Sequence, residues 1–72
     1  MLSIATMNLT LNGKRRNVAA GISLPALLQE LGIDRRTVAV ARNGDVLPRG
    51  SYDTVLLAEG DRVEIVRMVG GG

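Results

Sequence analysis

An α+β fold, with a mixed sheet of about five strands and one helix packed across one face, is the class this sequence predicts. Three observations predict it. Met7, Leu9 and Leu11 alternate with Asn8 and Thr10, the period of a strand with one buried face. Leu24, Leu27, Leu28 and Leu31 recur at i, i+3, i+4 and i+7, a single helical stripe. Arg62 to Val69 alternates again. At 72 residues the chain holds one domain, 1–72, with the glycines at 70–72 expected to form a flexible tail.

Asn12-Gly13 follows the first strand at once and supplies the two positive-φ residues of a type I′ turn, so Lys14 to Val18 returns antiparallel. Gly21 breaks that strand. Ser23 is the N-cap of a helix beginning near Leu24, and Pro25 fits its first turn because the missing N–H has no helical partner there. Gly32 ends the helix. Val38 to Arg42 reads as a third strand, Asn43-Gly44 as a second tight turn, and Asp45 to Leu47 as a short return stopped by Pro48. Arg49 to Ala58 reads as irregular, and Glu59-Gly60-Asp61 as the turn into the last strand. With right-handed connections, the first and last strands become parallel neighbours at the centre, which is the β-grasp arrangement.

Composition narrows the chemistry. Apolar residues make up 46% of the chain, yet there is no Phe or Trp and only Tyr52, so the core is aliphatic. Without Cys or His there is neither a disulfide nor a thiolate or imidazole metal site. No carboxylate pair or Ser constellation suggests catalysis, and the expectation is a protein that is not itself an enzyme. A net charge of +2 with scattered acids calls for no nucleic-acid surface, and Lys14-Arg15-Arg16 and Arg35-Arg36 read as solvated charges. No apolar run reaches the length that crosses a bilayer, so no membrane is expected. The cytoplasm is the expected compartment, and the free protein is expected to be a monomer.

The chain closes Val69-Gly70-Gly71-Gly72 directly after the last strand. Three extended residues reach roughly 10 Å, and without Cβ atoms they thread a narrow channel. A β-grasp domain ending in this way resembles the sulfur carriers of thiamin thiazole synthesis, the ThiS-type proteins, within the ubiquitin-like superfamily. The resemblance runs from Met7 to Gly72. It is carried by Asn8-Leu9-Thr10-Leu11-Asn12-Gly13, Leu27-Leu28-Gln29-Glu30-Leu31-Gly32, Val38-Ala39-Val40-Ala41-Arg42-Asn43-Gly44, Val46-Leu47-Pro48-Arg49 and Glu59-Gly60-Asp61-Arg62-Val63-Glu64-Ile65-Val66. Arg67-Met68-Val69 departs from the molybdopterin branch, whose members tend to carry aromatic and Pro-rich residues before the glycines.

The resemblance implies that a ThiF-like adenylating enzyme, using ATP and Mg²⁺, converts the Gly72 carboxylate to an acyl-adenylate. Sulfur from a cysteine desulfurase or another persulfide donor then leaves a Gly72 thiocarboxylate for thiazole synthase. The carrier binds no cofactor of its own. Gly70 and Gly71 would thread the partner's active site, and the outward residues Ala39, Ala41, Val66 and Met68, with Val69, form the expected docking face. Carriers for molybdopterin or tRNA thiolation, a ubiquitin-like modifier joined to lysines, and an interaction domain with idle glycines stand as alternatives. Tyr52 reads as a packed loop anchor. Whether Met1–Thr6 is native or Met7 is the true start is left open.

Overall fold

The computed structural model describes residues 5–68, and its chain order is strand, strand, helix, two strands and a final strand. β1 (Thr6–Leu11) and β2 (Lys14–Ala19) form a hairpin, and α1 (Leu24–Glu30) follows. β3 (Val38–Arg42) and β4 (Asp45–Val46) form a second hairpin, and β5 (Arg62–Arg67) closes the sheet in the order β2-β1-β5-β3-β4. β5 lies parallel to β1 and antiparallel to β3, so the last strand occupies the centre, as predicted.

Both Asn-Gly turns are left-handed at both positions: φ is 49° and 82° at Asn12 and Gly13, and 51° and 89° at Asn43 and Gly44. That conformation matches the twist of the strands it joins and fixes the register, with Leu11 opposite Lys14 and Arg42 opposite Asp45.

The helix begins and ends where its capping residues dictate. Ser23 Oγ accepts a hydrogen bond from the Ala26 amide (3.2 Å), and Pro25 occupies the first turn. At the other end Gly32 has φ +70°, the Gly32 amide donates to the Gln29 carbonyl (3.0 Å), and the Ile33 amide donates to the Leu28 carbonyl (2.9 Å). This is a Schellman ending, which lets Ile33 pack back on the core. Leu24, Leu27 and Leu28 are buried and Leu31 is half-buried, each fully buried leucine contributing about 2 kcal/mol of transfer free energy. They meet Met7, Leu9, Val18, Val38, Val40 and Val63 from the inner face of the sheet.

The structure departs from the sequence reading in three places. Residues Arg49–Thr54, read as irregular, form a 3₁₀ helix, and a shorter one covers Arg35–Thr37. The cause is tertiary. Tyr52 is the packed loop anchor expected, turned inward to 2% exposure, and its Oη accepts a hydrogen bond from the Val40 amide (3.2 Å), a distant partner that local propensity does not report. β4 is a residue shorter than expected, although the Leu47 amide still donates to the Val40 carbonyl (2.8 Å) and the Leu47 side chain packs against the core. β5 ends at Arg67, although the Met68 amide still reaches the Thr37 carbonyl just before β3; Val69, the expected last residue of the strand, lies outside the described residues.

Candidate functional site

The strand that leads to the terminal glycines is the part of the fold most heavily tied down at its start. Asp61, just before β5, is buried; its carboxylate accepts from Arg42 Nε (2.8 Å), Asn43 Nδ2 (3.0 Å) and the Ala58 amide (2.8 Å). Burial pushes the Asp61 carboxyl up, but the hydrogen bonds from Asn43, Ala58 and Arg42, together with the Arg42 charge, outweigh it and hold the group below its ordinary range. Asn43 Oδ1 also accepts from the Arg62 amide (2.8 Å).

The other turn asparagine acts further along the strand. Asn12 Oδ1 accepts from the Ile65 amide (2.7 Å) while Asn12 Nδ2 donates to the Ile65 carbonyl (3.2 Å), so one side chain satisfies both backbone groups of that residue. At the exit of β5 the Met68 amide donates to the Thr37 carbonyl (2.9 Å). Arg49 completes that end: Nη1 donates to the Arg35 carbonyl (3.1 Å), and Nη2 to the Val38 carbonyl (3.0 Å) and Met68 Sδ (3.4 Å).

The outer face of the sheet divides in two. Over β2 and β1 it is polar, presenting Arg15, Asn17, Asn8 and Thr10. Over β3, β4 and the end of β5 it is apolar: Val66 is 62% exposed, Met68 46%, and Ala39 and Ala41 are half-buried on the neighbouring strand, with the exposed Glu64 opposite Ala41 at the margin. Register puts Val66 opposite Ala39 and Val46 opposite Ala41, so cross-strand partners share the face. Val46, at 74% exposure the most exposed large apolar side chain described, belongs to this patch and was not among the residues expected there. The alternation of Asp45-Val46-Leu47, with Leu47 directed inward, was the available signal.

Of the expected site residues, Ala39, Ala41, Val66 and Met68 are therefore brought together around the end of β5. Val69, Gly70, Gly71 and Gly72 lie outside the described residues. The basic runs are largely engaged: Arg35 pairs with Asp53 (2.6 Å), Arg36 with Asp34 (2.9 Å) and Arg16 more loosely with Glu30 (4.0 Å). The Arg36 hydrogen bonds hold the exposed Asp34 carboxyl down to about 2. Among the described residues no cluster of carboxylates could hold a metal ion, and no helix is long and apolar enough to cross a membrane.

Comparison with known proteins fits this geometry. A crystal structure described as a thiamine biosynthesis protein (ThiS) from Geobacter metallireducens superposes with a TM-score of 0.80 at 39% identity, covering 92% of this chain and 100% of that one. Two curated relatives, each named thiazole synthase, are 48% identical over 66 residues (Paramagnetospirillum magneticum) and 46% identical over 66 residues (Magnetococcus marinus). Each alignment covers 92% of this chain but 20% of the relative, so the chain spans about a fifth of the length of the thiazole synthases it matches. The ThiS family pattern matches residues 9–72, from the middle of β1 through the glycines. With a centrally placed β5, an apolar face beside its exit and that match along nearly its whole length, the chain belongs to the ThiS family.

Proposed function

We propose that this protein is a sulfur carrier for the assembly of the thiamin thiazole, working through the carboxylate of Gly72. The observation that carries the reading is the family match over residues 9–72 on a fold whose central strand runs toward the glycines. A carboxylate is a poor electrophile, so a ThiF-like enzyme first joins it to AMP from ATP and Mg²⁺, releasing pyrophosphate. A persulfide, charged by a cysteine desulfurase or another donor, displaces AMP, and a thiol cleaves the acyl disulfide to leave the thiocarboxylate. Thiazole synthase takes that sulfur; relatives bearing its name that align with this domain over a fifth of their length support it as the partner.

In this cycle the chain supplies geometry and no proton-transfer group. The packed sheet fixes where the tail starts, Gly70 and Gly71 let it pass a narrow channel, and the apolar patch of Ala39, Ala41, Val46, Val66 and Met68 docks the partners in turn. Docking and threading are sequential demands on one small domain, which suits a monomer with no bound cofactor.

Mass spectrometry tests the chemistry. Incubated with an adenylating enzyme of this type, ATP, Mg²⁺ and a charged persulfide donor, the protein should gain about 16 Da as one oxygen becomes sulfur. A variant with one residue appended after Gly72 should gain nothing. An unchanged mass in the unmodified protein, or recovery as a lysine conjugate, would overturn the reading.

A further inference from the structure

β1 does not accompany β5 to its end. The two strands pair at Thr10 with Arg62 and Leu11 with Val63, and the Asn12 side chain then stands in for the next residue of β1 by bonding both backbone groups of Ile65. Backbone groups alternate in direction along a strand, so Arg67, two residues on, directs its N–H and C=O to the same side as Ile65. Its pairing with Val38 is the kind without hydrogen bonds, since the Val38 carbonyl is turned away to Arg49. Among the described residues nothing stands opposite the Arg67 backbone on that side.

A groove of about 250 Å³ opens beside this edge, lined by Leu11, Leu31, Ile33, Val38 and Ile65, with Asn12 and Arg67 also lining it. None of the ion pairs among the described residues includes Arg67: Asp34 and Asp53 pair with Arg36 and Arg35, Glu30 with Arg16 and Asp61 with Arg42, while the exposed Glu64, three residues before Arg67, projects from the opposite face of β5. An unpaired donor and acceptor on a strand edge, an aliphatic groove and a guanidinium without an acidic partner among the described residues together specify one kind of occupant. It is an extended peptide strand with an aliphatic side chain for the groove and a carboxylate for Arg67.

We propose that β5 accepts such a strand at Arg67, and that thiazole synthase supplies it. The identity of the partner rests on the sulfur-carrier reading; the strand-accepting edge rests on the register alone. The added strand would take up the sheet where β1 stops and hold the chain straight as it enters the glycines. This contact lies on the edge and helix side of the sheet, apart from the outer apolar patch.

The test uses the whole protein with a purified thiazole synthase, reading amide exchange and affinity. Complex formation should slow exchange of the Arg67 amide by at least about tenfold. Arg67→Pro removes the N–H on the open side without touching the β3 ladder, and should weaken binding about tenfold with an unchanged melting temperature. Arg67→Ala, which keeps the N–H, should lose less. If a complex forms with the Arg67 amide unprotected and Arg67→Pro binds like the parent, the proposed edge is wrong while the carrier reading stands. If Arg67→Pro does not fold, the exchange result on the unaltered chain decides. Absence of any complex with the parent protein would overturn the partner and this inference together.

Discussion

At its start, β5 is surrounded. Asp61 gathers Arg42, Asn43 and the Ala58 amide, β1 pairs on one side and β3 on the other, and Val63 is 1% exposed. Six residues later, at Arg67, β3 still pairs on one side but the opposite edge is bare, and the neighbouring Val66 and Met68 side chains are open to solvent. The same strand thus passes from a closed polar and apolar setting to an open one. Interactions that fix a strand's direction are most useful at its root, where a small displacement is carried along its length. At the exit, exposed apolar side chains and unpaired backbone groups are what a partner needs, and the domain tolerates them because its stability is supplied elsewhere.

The comparison can be broken at the closed end first. Replacing Asp61 with Ala leaves the Ala58 amide and the Arg42 guanidinium short of an acceptor and should cost about 2–3 kcal/mol, read from urea unfolding. The same carboxylate makes stability depend on pH. Because its folded pKa is below its unfolded value of about 4, the contribution is complete above that value and is lost as the pH falls through the folded pKa. The melting temperature should therefore drop on acidification below about pH 4, and less steeply in the Asp61→Ala variant. A parallel pH profile for the two proteins would refute the role given to Asp61.

A smaller effect is expected midway. Tyr52→Phe keeps the ring in the core but strands the Val40 amide, and should cost about 1–2 kcal/mol without altering the tail's reactivity. The smallest effect on stability belongs to the open end. Val66→Asp should leave unfolding within about 0.5 kcal/mol of the parent while abolishing capture by the adenylating enzyme, measured side by side on one preparation. Undiminished capture would show that the outer apolar patch is not the docking face.

Periodicity and turn chemistry were legible because they are local. Asn-Gly at 12–13 and 43–44 announces its own dihedral angles, the leucines of α1 announce their stripe, and both were found where expected. The outward direction of Val66 and Met68 followed from the same alternation. What escaped was long-range: Asn12 binding Ile65, Asn43 joining Asp61 to Arg62, Arg49 reaching three acceptors, and Tyr52 capping the Val40 amide. Each of those residues is ordinary in its own segment and acquires its partner only when distant strands become neighbours. Val46 differs from these, since the short alternation of Asp45-Val46-Leu47 already points it outward, and only the register shows that it lies opposite Ala41 on the same patch.

The amino-acid sequence alone determined the elements, the turns that join them, the aliphatic stripe that forces helix onto sheet, and the glycines that follow the last strand. Those are consequences of backbone sterics and of 2.0- and 3.6-residue periods, which need no partner to be expressed. Only the tertiary structure decided that β1 stops short of β5, leaving Arg67 with a bare edge above an aliphatic groove. Strand ends in a sheet are set by which chain runs out first, and that is a relation between segments some 50 residues apart, as Asn12 and Ile65 are.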